Sequence, residues 1–261
     1  MQWQHWQQLN RDDFAALDVH STVVLLPVAA IEQHGPHLPV GTDAMINEGL
    51  LAALAQRQWA TRVLVLPPQV IGHSLEHQAH AGTLTLPAET LLQSWGALAA
   101  GVAAVGLRKL ILINTHGGNN SLVHLAALRM RSEHKLLAVR ANYFALGSPP
   151  GLFAAEELRD GLHGGEMETS LMLHLQPQWV RRDKLADFVG LPQHLAAGHR
   201  CLGVEKPIGF GWLAGDLSPH GVCGNAAAAD AGRGALLLQH LTDGLATLIE
   251  EVAALPLTLL A

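Results

Sequence analysis

The sequence predicts an α/β fold, a single domain in which a central, mostly parallel sheet carries helices on both faces. Three observations predict it. Short continuous apolar runs recur along the 261 residues, as expected of strands buried on both sides. Longer segments of helical periodicity separate them. No internal repeat or low-complexity segment interrupts the alternation.

Taken in order, the apolar run at residues 22–28 reads as the first strand, and the helical pattern at 44–59 as its crossover. A strand at 63–66 and a helix at 88–107 repeat the unit. The run Leu110-Ile111-Leu112-Ile113-Asn114 is a third strand, followed by a helix at 119–131 and a strand at 135–141. Helices at 164–175 and 226–252 complete the pattern, the second opening on Ala226-Ala227-Ala228-Ala229, ordinary helix-forming sequence. Residues 192–224, rich in Gly and Pro, read as a long ordered excursion between them.

Composition narrows the function classes. With 49% hydrophobic and 15% charged residues, the chain is long enough for one sizeable core. The balance of 16 basic against 22 acidic residues, with five Phe and one Tyr, argues against a nucleic-acid partner. The longest apolar run, residues 97–107, holds Gly101 and Gly106 and is well short of the ~18 residues of a membrane span. The amino terminus lacks the basic and apolar regions of a signal peptide, so a cytoplasmic location is expected. Cys201 and Cys223 lack redox or zinc spacing and read as free thiols.

Two loops carry the chemistry. The first, Ile31-Glu32-Gln33-His34-Gly35-Pro36-His37-Leu38-Pro39-Val40-Gly41-Thr42-Asp43, leaves the first strand. Glu32, His34 and Asp43 offer the oxygen and nitrogen ligands that divalent zinc, manganese or iron accepts. The dense Gly and Pro suggest side chains held in one geometry, although alone the stretch equally fits a solvated connection. The second loop, Thr115-His116-Gly117-Gly118-Asn119-Asn120-Ser121, leaves the 110–114 strand. In open α/β sheets the ligand crevice lies outside the carboxyl ends of the strands, so the two loops are expected to face one another.

Three further segments bear polar clusters. Gly161-Leu162-His163-Gly164-Gly165-Glu166-Met167-Glu168-Thr169-Ser170 opens a helix, where acids also serve as plain dipole partners. Residues 72–83 hold His73, Glu76, His77 and His80 without helical spacing, which favours pocket lining over metal. Residues 216–225, around His220, read as a structural turn cluster. Competing motifs fail on spacing: Gly72-x-Ser74-x-Glu76 lacks the last Gly of a nucleophile elbow, and Gly209-x-Gly211 has its next Gly one residue late for a dinucleotide loop. Metal-assisted hydrolysis by a water activated between two ions remains.

In order and spacing, Glu32-Gln33-His34-Gly35-Pro36-His37-Leu38-Pro39 with Thr42-Asp43, Glu76-His77 with Gly82-Thr83, Asn114-x-His116-Gly117-Gly118-Asn119, His163-Gly164-Gly165-x-x-Glu168-Thr169-Ser170 and Gly221-Val222-x-Gly224 resemble the creatininase family of amidohydrolases. The resemblance spans about residues 20–245 and implies a central parallel sheet, a two-metal site at its carboxyl edge and a homo-oligomer, often a hexamer. It implies two divalent ions per chain, zinc first, with manganese or iron as alternatives. Carried over, Glu32 and His116 would bind one ion, His34 the other, Asp43 would bridge them, and His163 would shuttle the proton.

One departure stands out. Members that hydrolyse creatinine have a Glu where this chain has Gly118, and in the resemblance Glu168 takes over as ligand. Glu166 precedes it by two residues, about 200° around a helix turning ~100° per residue, so the two acids cannot both point inward. The expected activity is hydrolysis of a non-peptide or small cyclic C–N bond in a small molecule. A peptidase, a hydrolase of keto-cyclitols, and a metal-stabilised binding protein are the alternatives. The loops at 144–161 and 201–215 are expected to line the pocket, with Trp212 either stacking on substrate or anchoring the loop.

Overall fold

The structure, a computed structural model, describes residues 2–205 and 208–260. Among the described residues, five parallel strands form one sheet: β1 (Trp3–His5), β2 (Val23–Val28), β3 (Val63–Val65), β4 (Lys109–Asn114) and β5 (Leu137–Asn142), in the spatial order β1-β3-β2-β4-β5. The expected α/β sheet is present. The chain leaves β2 for β3 on one side and later returns to β4 on the other, so the loops after β2 and β4 diverge over a crevice at their carboxyl ends.

The inner strands β2 and β3 are apolar throughout, and β4 is apolar from Leu110 to Ile113, because both of their faces are covered. Val23, Leu25, Val63, Val65, Ile111 and Ile113 alternate onto one face, against α1 (Thr42–Ala55), α5 (Glu166–Leu175) and α8 (Ala231–Ala254). Val24, Leu26, Leu64, Leu110 and Leu112 face the other side, against α2 (Ala88–Ala104) and α3 (Asn120–His134). Trp95 and Ile46 are fully buried, one in each layer. The remaining elements are α4 (Ala155–Asp160), α6 (Leu191–Gly198), α7 (Ala214–Leu217) and an antiparallel pair, β6 (Asp187–Phe188) with β7 (Gly224–Asn225). No described helix is long and apolar enough to cross a membrane.

Several boundaries differ from the sequence expectation, each for a local reason. Strand β1 was not expected, because Trp3-Gln4-His5 is no apolar run; it is an edge strand, and Trp3 stacks on Trp59 with ring centroids 5.7 Å apart. Helix α1 begins two residues earlier than expected, which places Asp43 in its first turn rather than in the loop, and it ends at Ala55, where the Trp59 indole donates to the Leu54 carbonyl. Residues 117–119 form a separate 3-10 turn before α3. That helix continues to His134 and is ended by Lys135 in the left-handed region, which shifts the next strand to Leu137. The alanine run at 226–229 does not open α8; it holds a 3-10 turn, and the Asp230 carboxylate caps the helix through the Arg233 N–H. Part of the expected loop at 144–161 is the short helix α4. In the 201–215 loop, Lys206 and Pro207 lie outside the described residues.

Two contacts fix α5 at the crevice. The buried Glu157 carboxylate of α4 accepts the Glu166 N–H at 2.6 Å and the Asn225 N–H at 2.9 Å, tying the start of α5 to β7. Gly161, Gly165 and Gly224 surround this carboxylate so closely that a Cβ on any of them would come within 2.7 Å of it. On its other side α5 meets α8 at Gly234, where a Cβ would sit 1.9 Å from the Ser170 carbonyl oxygen. Backbone cannot yield as a flexible side chain can. In an exposed helix Gly→Ala stabilises by ~1 kcal/mol; here Gly234→Ala is expected to lower stability instead, by the 1–3 kcal/mol typical of overpacking (roughly). Urea unfolding of the two proteins checks the sign.

Candidate metal centre

The loop after β2 is fastened along its length. The Glu32 N–H donates to the Val40 carbonyl at 2.9 Å, the Gln33 N–H to the Thr83 hydroxyl at 3.1 Å, and the Leu84 N–H to the Ile31 carbonyl at 2.8 Å. The loop after β4 is held by amide side chains. Asn114 Nδ2 donates to the His116 carbonyl at 2.7 Å, and Asn119 bridges the Ala29 carbonyl and the His73 N–H. Thr115 donates its hydroxyl to the Asp43 carbonyl at 2.9 Å, joining the second loop to the first turn of α1. These fasteners were not singled out from sequence; Asn at a strand end and again five residues on was the available signal.

Within this frame six expected side chains come together. Glu32 Oε1 lies 3.2 Å from His116 Nδ1 and 3.7 Å from His163 Nδ1; Asp43 places one oxygen 3.3 Å from His34 Nε2 and the other 3.2 Å from His116 Nδ1; Glu168 Oε2 lies 3.9 Å from His34 Nε2. Asp43 thus stands between two imidazoles on opposite sides. Glu166 is elsewhere: its buried carboxylate is ion-paired with Arg233 of α8. Of the two acids, Glu168 faces the cluster, secured by the Gly164 N–H at 2.6 Å.

Backbone carbonyls decide which nitrogen each ring presents. His34 donates from Nδ1 to the Glu32 carbonyl at 3.1 Å, leaving Nε2 toward Asp43. His116 donates from Nε2 to the His73 carbonyl at 2.9 Å, leaving Nδ1 toward Glu32 and Asp43. His163 donates from Nε2 to the Gln33 carbonyl at 2.8 Å, leaving Nδ1 toward Glu32. Three lone pairs therefore converge. Glu32 Oε2, His34 Nε2 and Asp43 Oδ2 are buried without a hydrogen-bond partner among the described residues. Orphaned polar atoms of this kind are rare in folded proteins, and an oxygen and nitrogen set aimed at common points fits a divalent cation. Four overlapping trios in the cluster bring ligand atoms close enough to hold one, including Glu32-His34-Asp43 and His34-His163-Glu168.

The electrostatics agree. Burial would depress His34, but the Asp43 carboxylate, then Glu168 and Glu32, push it up to about 10. His116 is likewise raised against its burial, by Glu32 and Asp43. Glu32 is held well below the usual carboxylate range: burial opposes this, but His116 chiefly, with His163 and His77, overcomes it. Burial pushes Glu168 up to about 7 despite His34 beside it. Burial, with His34 and His77 nearby, lowers His163 well below its usual value, which leaves the ring neutral and its Nδ1 bare. The cluster is rich in negative charge and calls for cations.

The structure brings further residues to the cluster, some expected only as pocket lining and one, Tyr143, not singled out from sequence. Glu76 and His77, from the loop after β3, reach the cluster: His77 Nε2 is 3.5 Å from Glu32 Oε1, and Glu76 Oε1 is 3.9 Å from His116 Nε2. Their loop position without helical spacing hid them. Tyr143, just beyond β5, points its hydroxyl at Glu168 from 3.5 Å. Trp212 sets its ring edge-on to His77, centroids 6.2 Å apart, and donates to Glu205. Residues 216–225 are structural in part, the Gly221 carbonyl accepting from Gln33. Gly118 has no room for a side chain: a Cβ there would lie 2.3 Å from Glu76 Oε1 and 2.5 Å from His116 Nε2, the ring edge opposite the one that faces Asp43.

Known proteins resemble this chain over most of its length. A mycofactocin precursor peptide peptidase of Mycobacterium ulcerans (strain Agy99) is 33% identical over 230 residues, covering 84% of this chain and 81% of the relative. The creatinine amidohydrolase of Pseudomonas putida is 29% identical over 181 residues, 63% of this chain and 68% of the relative. Among solved structures, a mutant creatininase described as Zn-Zn type superposes with a TM-score of 0.74 at 25% identity, covering 96% of this chain and 98% of that one. The family model described as creatinine amidohydrolase matches residues 7–249. With its sheet, its loops and its matched length, the chain belongs to the creatininase family of hydrolases.

Proposed function

We propose that this protein is a dinuclear metal-dependent hydrolase of a C–N bond in an amide, cyclic amide or formamide. The observation that carries the reading is the gathering of orphaned, buried Glu32 Oε2, His34 Nε2 and Asp43 Oδ2 with His116 Nδ1 on the opposite side of the Asp43 carboxylate from His34. Glu32 and His116 would hold one ion, His34 and Glu168 the other, and Asp43 both. Such ions, when bound, lower the pKa of a bound water and polarise a carbonyl. The chain's own groups do the rest. His163, neutral and with Nδ1 facing Glu32 Oε1 at 3.7 Å, accepts the water proton and returns it to the leaving nitrogen, and its lowered proton affinity favours the return. Tyr143 and the Gly164 N–H keep Glu168 in place, and Trp212 stands edge-on to His77.

The substrate class follows from two supports that differ. Gly118, with its place taken by Glu76, argues against creatinine. The likeness to a peptide peptidase favours a second reading, in which the C–N bond is a peptide bond of a short peptide. A metal-reconstituted preparation tested against lactams, formamides, short peptides, keto-cyclitols and creatinine separates them. Turnover of creatinine above all others would overturn the Gly118 argument, and turnover of none would overturn the hydrolase.

Three outcomes are expected. Elemental analysis should find two divalent ions per chain; Asp43→Ala should lose most of both, Glu168→Gln one, and Glu166→Gln neither, because Glu166 is engaged by Arg233. His163→Ala should keep both ions and lose roughly 10²–10⁴-fold in kcat. The third concerns pH. His34 is raised to about 10 in the fold from a value near 6.5 when unfolded, so in chelator-stripped protein its contribution is full below pH ~6.5 and lost as pH rises toward 10. Ligands must shed protons to bind metal, so the stabilisation by added zinc should grow over the same range. Urea midpoints at pH 6 and pH 9, with and without zinc, test both; a zinc effect that shrinks with pH would contradict the assignment.

A further inference from the structure

Gln33 decides what His77 can do. The Gly35 N–H donates to Gln33 Oε1 at 2.9 Å, and Gln33 Nε2 donates to the Gly221 carbonyl at 2.7 Å. A flipped amide would set oxygen against carbonyl and N–H against N–H, so the backbone fixes its orientation. One hydrogen of Nε2 remains, and His77 Nδ1 lies 2.9 Å from that nitrogen. A ring nitrogen that accepts a hydrogen bond carries no proton, and a neutral imidazole then carries it on the other nitrogen. His77 therefore presents Nε2–H to the centre. Its nearest carboxylate oxygen, Glu32 Oε1, is 3.5 Å away, long for a hydrogen bond.

His163 is the complement. It donates Nε2–H to the Gln33 carbonyl and turns bare Nδ1 toward the same Glu32 oxygen, and the two rings lie 4.3 Å apart. Glu32, His77 and His163 are close enough to be taken for a cation-binding trio, yet an N–H cannot ligate a cation. A proton acceptor and a proton-bearing donor stand side by side at the edge of the cluster.

We infer that His77 is the hydrogen-bond donor to the reacting oxygen of the substrate, locked in its donor tautomer by Gln33, and is not a metal ligand. The inference rests on the hydrolytic reading above. When the water oxygen bonds to the carbonyl carbon, the C=O pair moves onto oxygen; when the C–N bond breaks, the pair returns and the nitrogen leaves with the proton carried by His163. His77 keeps its own proton throughout and stabilises the charge on that oxygen. A donor already aimed needs no reorganisation as the charge forms.

Long-range proton–nitrogen correlation spectra of the chelator-stripped and zinc-loaded protein, with the His77 signals assigned by their loss in His77→Gln, read the tautomer directly. Protonated Nε2 and bare Nδ1 are expected in both, and a bare or zinc-bound Nε2 overturns the proposal. Two variants probe its use. In His77→Gln the amide nitrogen can take the place of Nε2, whereas the shorter His77→Asn reaches only as far as Nδ1. Both should bind as much zinc as the unaltered protein. His77→Asn should lose about 10²–10³-fold in kcat with KM little changed, and His77→Gln should recover most of it. Loss of an ion from either variant, or full turnover in His77→Asn, overturns the donor role. If the unaltered protein turns over none of the amides tested, the hydrolytic reading fails by itself, while spectra and zinc counts still decide between donor and ligand.

Discussion

Everything at the carboxyl edge of the sheet answers to one constraint, the repulsion between carboxylates held close together away from water. Glu32 and Asp43 are each at most 2% exposed, and Glu168 and Glu76 approach from two other elements. Charges in such surroundings interact far more strongly than in water. The fold tolerates the arrangement because imidazoles separate the acids, His34, His116 and His163 each turned by a backbone carbonyl so that a nitrogen faces a carboxylate. The stiff Gly and Pro loop, the asparagine fasteners and the anchored start of α5 all hold these groups where they would otherwise spread apart.

Much of this was legible in the sequence because periodicity and burial gave the same answer. Runs apolar at every position, such as residues 110–113, require cover on both faces, and the two helix layers supply it. That only one of Glu166 and Glu168 could face the crevice followed from helix geometry, since two residues of helix turn the side chains to opposite sides, while the choice of Glu168 came from the resemblance. What was not legible depends on tertiary partners. Strand β1 has no apolar signature and exists because the edge of β3 needs hydrogen bonds. The alanine run at 226–229 has high helix propensity, yet the Asp230 cap sets the boundary. Glu76 and His77 belong to a loop whose path is set by its bonds to Thr83, Thr85 and Asn119, and no spacing rule foretells that.

The roles of the histidines show a similar limit. Sixteen are present, and residue type alone cannot separate ligand from base from donor. The separation comes from the second nitrogen of each ring. His34 and His116 give theirs to carbonyls and become lone-pair donors to the centre, while His77 gives its lone pair to an amide and faces the centre with a proton. His37 is different again: it donates to the Gly164 carbonyl, stacks on Phe188 and is lowered to about 4, chiefly by burial. It is part of the packing under the loop, although it stands in the same motif as His34.

The crowding at Gly118 also bears on how such a site changes over time. A Cβ at 118 would meet the movable Glu76 carboxylate and the His116 ring, and also the His73 backbone carbonyl at 2.5 Å, which cannot swing aside. A larger residue at 118 therefore requires the 73–76 backbone to move, and a change in the Glu76 side chain alone does not make room for it. Glycine at 118 is thus tied to the path of a loop that begins 45 places earlier in the chain, at His73, and that backbone path sets the volume open to any chemistry at this position.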